Sequence, residues 1–198
     1  MTILQRSLLI GSWVLYLSVL NTSAQSESVV LSRGGLQVEF QKVVRGSEAT
    51  VAFLSMESGS TRVKFDQSPL FQVSLQRLKN LERATEVITV PNQPIWIAAK
   101  DVAVARNGQD QIEIRMSNIP IPGSEQTVSV ALFLEIREHD GALIWNGTAR
   151  LNGIGDLFLV AFRYPYLSIE SLGESGEDDF VAAPITGGLL MQNPISSS

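Results

Sequence analysis

An all-β fold is what the sequence predicts: an antiparallel β-sandwich, with a β-barrel as the alternative. Three observations carry that prediction. Apolar and polar residues alternate along Gln126–Glu138, the period of a strand with one buried face. Short runs rich in β-branched and apolar residues recur between turn signals at Arg33-Gly34-Gly35, Arg45-Gly46-Ser47 and Ser58-Gly59-Ser60. Almost nothing in the chain has helical spacing. Many short strands with regular turns make a two-sheet sandwich, and the body is long enough for one substantial core. The chain is organised as residues 1–24, a signal peptide; 25–172, the sandwich; and 173–198, an acidic, largely disordered tail.

The amino-terminal segment reads as targeting. Arg6 precedes an apolar run from Leu8 to Leu20, and Thr22-Ser23-Ala24 places small residues before an expected cut after Ala24. The run is shorter than the roughly 20 residues of a membrane-spanning helix. With no cysteine, the chain has no lipoprotein acylation site. No stable membrane span is expected after cleavage, and the mature product is expected in the periplasm, outside the cell or at its surface.

The first strand candidates are Ser28–Leu31, Gly35–Val44, Ala49–Met56 and Thr61–Phe65. Phe71–Leu75, Thr85–Val90 and Ile95–Ala99 follow. Leu75–Glu86 is the one segment with helical spacing, through Leu75, Leu78 and Leu81, and it is short and uncapped. Around Asn107-Gly108, a two-residue loop would mix apolar and polar faces. A three-residue loop, Arg106-Asn107-Gly108, sets Val102 opposite Ile112 and gathers Val102, Val104, Ile112 and Ile114 on one face.

Asp140-Gly141 suits a two-residue hairpin turn. That loop sets Ile136 opposite Trp145, Leu132 opposite Ala149 and Val130 opposite Leu151, so Trp145 is predicted to face the core. Asp156–Tyr164 is apolar on both faces and reads as a central, doubly covered strand. Pro165 then interrupts the ladder, and Tyr166–Glu170 reads as an edge or bent extension.

The last basic residue is Arg163; Glu170, Glu174, Glu177, Asp178 and Asp179 follow it. The acidity therefore belongs to the tail, whose run Gly173–Asp179 reads as solvated and mobile. Phe180–Ala183 and Gly187–Met191 are apolar islands within it, either inert or docked on the sandwich or a partner.

The chemical inventory is sparse. The absence of cysteine excludes disulfides, thiolate metal sites and cysteine nucleophiles, and a single histidine excludes a multi-histidine metal centre within one chain. A net charge of −5 argues against nucleic-acid binding. No Gly-x-Ser-x-Gly elbow or Walker loop occurs, and His139 sits at the mouth of a tight turn. Glu113, Glu135 and Asp156 are the carboxylates a glycoside hydrolase could pair, but nothing in the sequence sets their separation. No catalytic residue, metal or cofactor is predicted.

Binding is better supported than catalysis. Trp96, Phe133, Tyr164 and Tyr166 are the aromatic residues placed to form an exposed contact surface. Trp96 lies opposite the Ile95/Ile97 face, Phe133 shares a polar face with Glu135 and Arg137, and the two tyrosines flank a strand break. Such a surface suits protein or carbohydrate contact. Asn146-Gly147-Thr148 also matches the glycosylation acceptor pattern, with Asn146 on the solvent side. The expected partners are another protein or further copies of the chain. By architecture alone the analogues are exported surface-fibre subunits and the sandwich chaperones that assemble them, which offer strand edges to partners. The sequence predicts an exported, non-enzymatic structural or adhesive component. The alternatives are a periplasmic chaperone that binds an extended segment by strand addition and, third, a carbohydrate-active hydrolase.

Overall fold

The structure, a computed structural model, describes residues 24–66, 69–80, 83–91, 93–137, 142–167, 169–172, 180–183 and 189–192. The signal segment, His139 with the Asp140-Gly141 turn, and the acidic run 173–179 lie outside the described residues. The chain opens with four consecutive hairpin strands: β1 (Gln25–Arg33), β2 (Leu36–Arg45), β3 (Glu48–Ser58) and β4 (Thr61–Phe65). Arg33 pairs with Leu36, Arg45 with Glu48 and Ser58 with Thr61, so each connection is a two-residue loop. Gly34, Gly46 and Gly59 open these loops with φ between +58° and +61°, the left-handed backbone that tight hairpins require.

β5 (Gln72–Asn80) and β6 (Arg83–Val90) follow, then the short β7 (Ile97–Ala98), a 3₁₀ turn at Ala99–Asp101, β8 (Val102–Asn107) and β9 (Gln111–Pro120). β10 (Thr127–Ile136), β11 (Leu143–Asn152), β12 (Leu157–Arg163) and β13 (Ile169–Leu172) complete the body. β14 (Phe180–Ala183) and β15 (Leu189–Gln192) lie in the tail. One sheet runs β1-β2-β3-β4-β13, with β7 also paired to β3; a second runs β11-β10-β9-β8; a third runs β12-β5-β6. All pairs are antiparallel, and among the described residues none of the sheets closes into a barrel. The sandwich, not the barrel, is the architecture.

The core follows from the alternation. Val128, Val130, Leu132, Leu134 and Ile136 of β10 are buried, as are Ile112, Ile114 and Met116 of the adjacent β9. They share a cluster with Leu31, Val38, Phe40, Val51 and Phe53 of the first sheet. Trp145 of β11 meets Phe53 of β3 edge to face, with ring centroids 5.5 Å apart. In β9, Asn118 takes φ 55° and breaks the alternation, so Met116 and Ile119, three residues apart, are both buried. Asparagine tolerates that left-handed backbone, and its side-chain amide donates to Asp101 Oδ1 at 3.0 Å.

Several sequence expectations are corrected. Leu75–Glu86 is no helix but most of the β5–β6 hairpin. Register shifts after Arg77 and after Leu78 break the strand period there, so the segment lacks the clean alternation that would mark it as a strand. Ile95–Ala99 contributes only the two-residue β7 before the 3₁₀ turn. The loop between β8 and β9 has three residues but is Gly108-Gln109-Asp110, two positions later than expected, and Val102 pairs with Met116. The β10–β11 register is displaced by two: Trp145 pairs with Leu134, not Ile136, and Leu132 with Gly147. Beyond the last pair, Ile136 with Leu143, the Arg137 N–H donates to the Ala142 carbonyl at 2.9 Å. Because side chains alternate every two residues, both slips leave the apolar faces unchanged.

The remaining correction concerns β12. It ends its sheet and pairs only with β5 among the described strands. The strand with consecutive buried residues is β3, from Ala49 to Phe53, where small residues let both faces be covered. In β12 a bulge at Val160 shifts the register: Leu159 pairs with Leu75, and Ala161 with Ser74. Leu157, Leu159 and Phe162 therefore stand level with the inward Arg77, Leu75 and Val73 positions, while Phe158, Ala161 and Arg163 share the outer face. Tyr166–Glu170 is replaced by β13, which crosses to pair with β4.

Candidate functional site

Two surfaces on the sandwich carry the residues that contact could use. The first is the outer face of the β8–β11 sheet. Strand alternation turns Gln111, Glu113 and Arg115 of β9, Phe133 and Glu135 of β10, and Ile144 and Asn146 of β11 away from the core. Register sets Phe133 between Glu113 and Asn146, and Glu135 between Gln111 and Ile144. All of these but Arg115, together with Asn107, line a shallow depression of about 330 Å³. Phe133 is 39% exposed within it. The Asn107 amide donates to Gln111 Oε1 at 3.0 Å, and Arg115 Nε donates to Glu113 Oε1 at 2.5 Å.

Glu113 and Glu135 thus share one depression as diagonal cross-strand neighbours, a placement that period and register produce and that spacing in the sequence does not reveal. Asp156 lies elsewhere, bound by Arg77 Nη1 at 3.2 Å. Among the described residues no group of three or more histidine, aspartate or glutamate side chains could hold a metal ion.

Tyr164 belongs to the wall between the sheets rather than to the surface. Its ring meets Trp145 edge to face at 5.5 Å and lies nearly parallel to Phe162 at 6.4 Å. Its hydroxyl donates to the Phe133 carbonyl at 3.2 Å, which brings two of the four expected contact residues together. Burial holds its phenol well above the ordinary tyrosine pKa. Gly147 makes this packing fit: a β-carbon there would come within 3.0 Å of both the Phe162 and Tyr164 rings. Tyr166 is exposed, and its backbone N–H donates to the Leu70 carbonyl at 2.8 Å. Trp96 lies apart from the other three, half-buried beneath the Arg45 guanidinium, whose carbon is 4.5 Å from the ring centroid.

The second surface is the free side of β12, which sequence reasoning missed. Phe158 is 51% and Val160 59% exposed, and Leu159 is also open to solvent. Register continues the outer row from Phe158 through Gln76 to Val87, itself exposed. Arg77 pins this region, with Nε 3.3 Å from Glu86 and Nη2 donating to the Gly123 carbonyl at 3.3 Å. Gln126 anchors the turn into β12: its buried side-chain carbonyl accepts the Leu157 N–H at 3.1 Å. The run Leu157–Phe162 was the available signal. Two apolar faces fit either a central strand or an uncovered edge, and only the pairing separates them.

Comparison with protein-family models, curated proteins and solved structures found no match to this chain. The function rests on the surface itself. Among the described residues no helix is long and apolar enough to cross a membrane.

Proposed function

We propose that this protein is an exported, non-enzymatic β-sandwich that acts as a structural or adhesive surface component through contacts with other proteins. The observation that carries the proposal is the open β12 edge, with Phe158, Leu159 and Val160 exposed along a strand whose second side has no partner among the described residues. Such an edge offers unpaired backbone groups and apolar side chains together, the combination strand addition uses. The apolar amino-terminal run and Thr22-Ser23-Ala24 support export.

The same edge supports a second reading, a periplasmic chaperone that holds an extended client strand. Fractionation of the producing cells, followed by cross-linking in place, tests the main reading. The mature protein is expected outside the cytosol and in cross-linked protein species of higher mass. Retention in the cytosol, or an exported protein that cross-links to no protein, would overturn it. Stoichiometric complexes with a different exported protein and none between copies would favour the chaperone.

A further inference from the structure

Of the strands that end the sheets of the body, β12 is the one without a charged residue between its terminal positions. β1 carries Glu27, β6 Glu86, β8 Arg106, β11 Arg150 and β13 Glu170. Native edges are usually blunted by charge, proline or a bulge. From Leu157 to Phe162 β12 has only the bulge at Val160.

The chain also holds a second unpartnered element. β14 and β15 pair with each other, Phe180 with Gln192 through Ala183 with Leu189, and with no other described strand. Their sequences, Phe-Val-Ala-Ala and Leu-Leu-Met-Gln, contain no charge. A lone two-stranded hairpin is marginal in water and gains stability by joining a larger sheet.

We infer that β14 of one copy adds antiparallel to β12 of a second copy, joining subunits head to tail. The three-stranded sheet then becomes five-stranded in the order β15-β14-β12-β5-β6, the first two strands coming from the neighbour. Charge and length select the register. β12 ends on the exposed Arg163, and β14 is preceded in sequence by Glu177-Asp178-Asp179. Setting Asp179 opposite Arg163 lays Phe180 and Val181 along Phe162 and Ala161. It carries the small Ala182 and Ala183 across the bulge, where Val160 occupies extra space. The donor is a second copy because, within one chain, β14 and β12 do not pair. A heterologous contact of this kind generates an open chain of subunits instead of a closed dimer.

This inference rests on the protein-contact reading above and fixes its partner. The test uses the full mature chain, by sedimentation velocity over a wide concentration range. Wild type is expected to form a concentration-dependent ladder of species, and Val181→Pro to stay monomeric. Arg163→Glu and Asp179→Arg are each expected to weaken association about tenfold, and the double variant to restore it, since like charges face each other in the singles only. The chain has no cysteine, so Arg163→Cys mixed with Asp179→Cys should give a disulfide-linked heterodimer without native background. Assembly that survives Val181→Pro would overturn the inference and leave the contact reading standing. A wild type that stays monomeric at every concentration would also overturn it. If Val181→Pro then melted lower, the occupant of β12 would be the chain's own tail.

Discussion

Trp145 links three parts of the molecule: it sits on β11, meets Phe53 of β3, and packs against Tyr164 just beyond β12. Its removal strips two edge-to-face contacts and leaves a void between sheets. Trp145→Ala is expected to lower stability by about 3 kcal/mol in denaturant unfolding. Gly147 works on the same wall from the other side. Gly147→Ala places a methyl against the Phe162 and Tyr164 rings, so a cost of about 1–3 kcal/mol is expected from overpacking. Tyr164 adds a pH dependence. Its folded pKa is raised above 10.0 by burial, so the stability of its neutral form is complete below that value and is lost as pH climbs above it. A spectrophotometric titration should show Tyr164 ionising only together with unfolding. Tyr164→Phe should remove that alkaline step and cost about 1 kcal/mol for the hydrogen bond to the Phe133 carbonyl.

At the scale of elements, the contrast is between β10 and β12. β10 is paired on both sides, with β9 and β11, and its even-numbered residues are buried; β12 is paired on one side and exposes its middle. Amide hydrogen exchange followed by mass spectrometry should therefore find β10 the slower by a wide margin. Equal protection would mean that β12 is covered in solution. Both strands are apolar runs in the sequence, yet only β10 alternates cleanly, and that alternation identified it. The β5–β6 hairpin was illegible for a related reason: its bulges disrupt the period at Arg77 and Leu78, so the segment lacks the clean alternation of a strand. The contact residues divide the same way. Phe133 was legible as an aromatic on a polar face, whereas the exposure of Phe158 and Val160 depends on where β12 falls in its sheet.

For the whole molecule, the expected mature terminus is Gln25, and mass spectrometry of exported protein checks it; intact Met1 in that product would contradict the signal-peptide reading. Truncation after Gly173 should leave the melting temperature of the dilute protein within a few degrees, since β14 and β15 pair with no described strand of the body. The sequence by itself determined the all-β class, the glycine turns of the first hairpins, and which residues of β8 to β11 face inward. These are local properties: left-handed backbone is set by one or two residues, and a face by a period of two. A two-residue slip in the β10–β11 register and a four-residue slip in the β8–β9 register left those faces intact for that same reason. What only the tertiary structure decided was strand order, the phase changes at the bulges, and therefore which apolar run is buried. Leu157–Phe162 has enough apolar surface to be a central strand. It became an edge because β5 took one side of it and no described strand of the same chain took the other, a choice made by long-range pairing that no local pattern encodes.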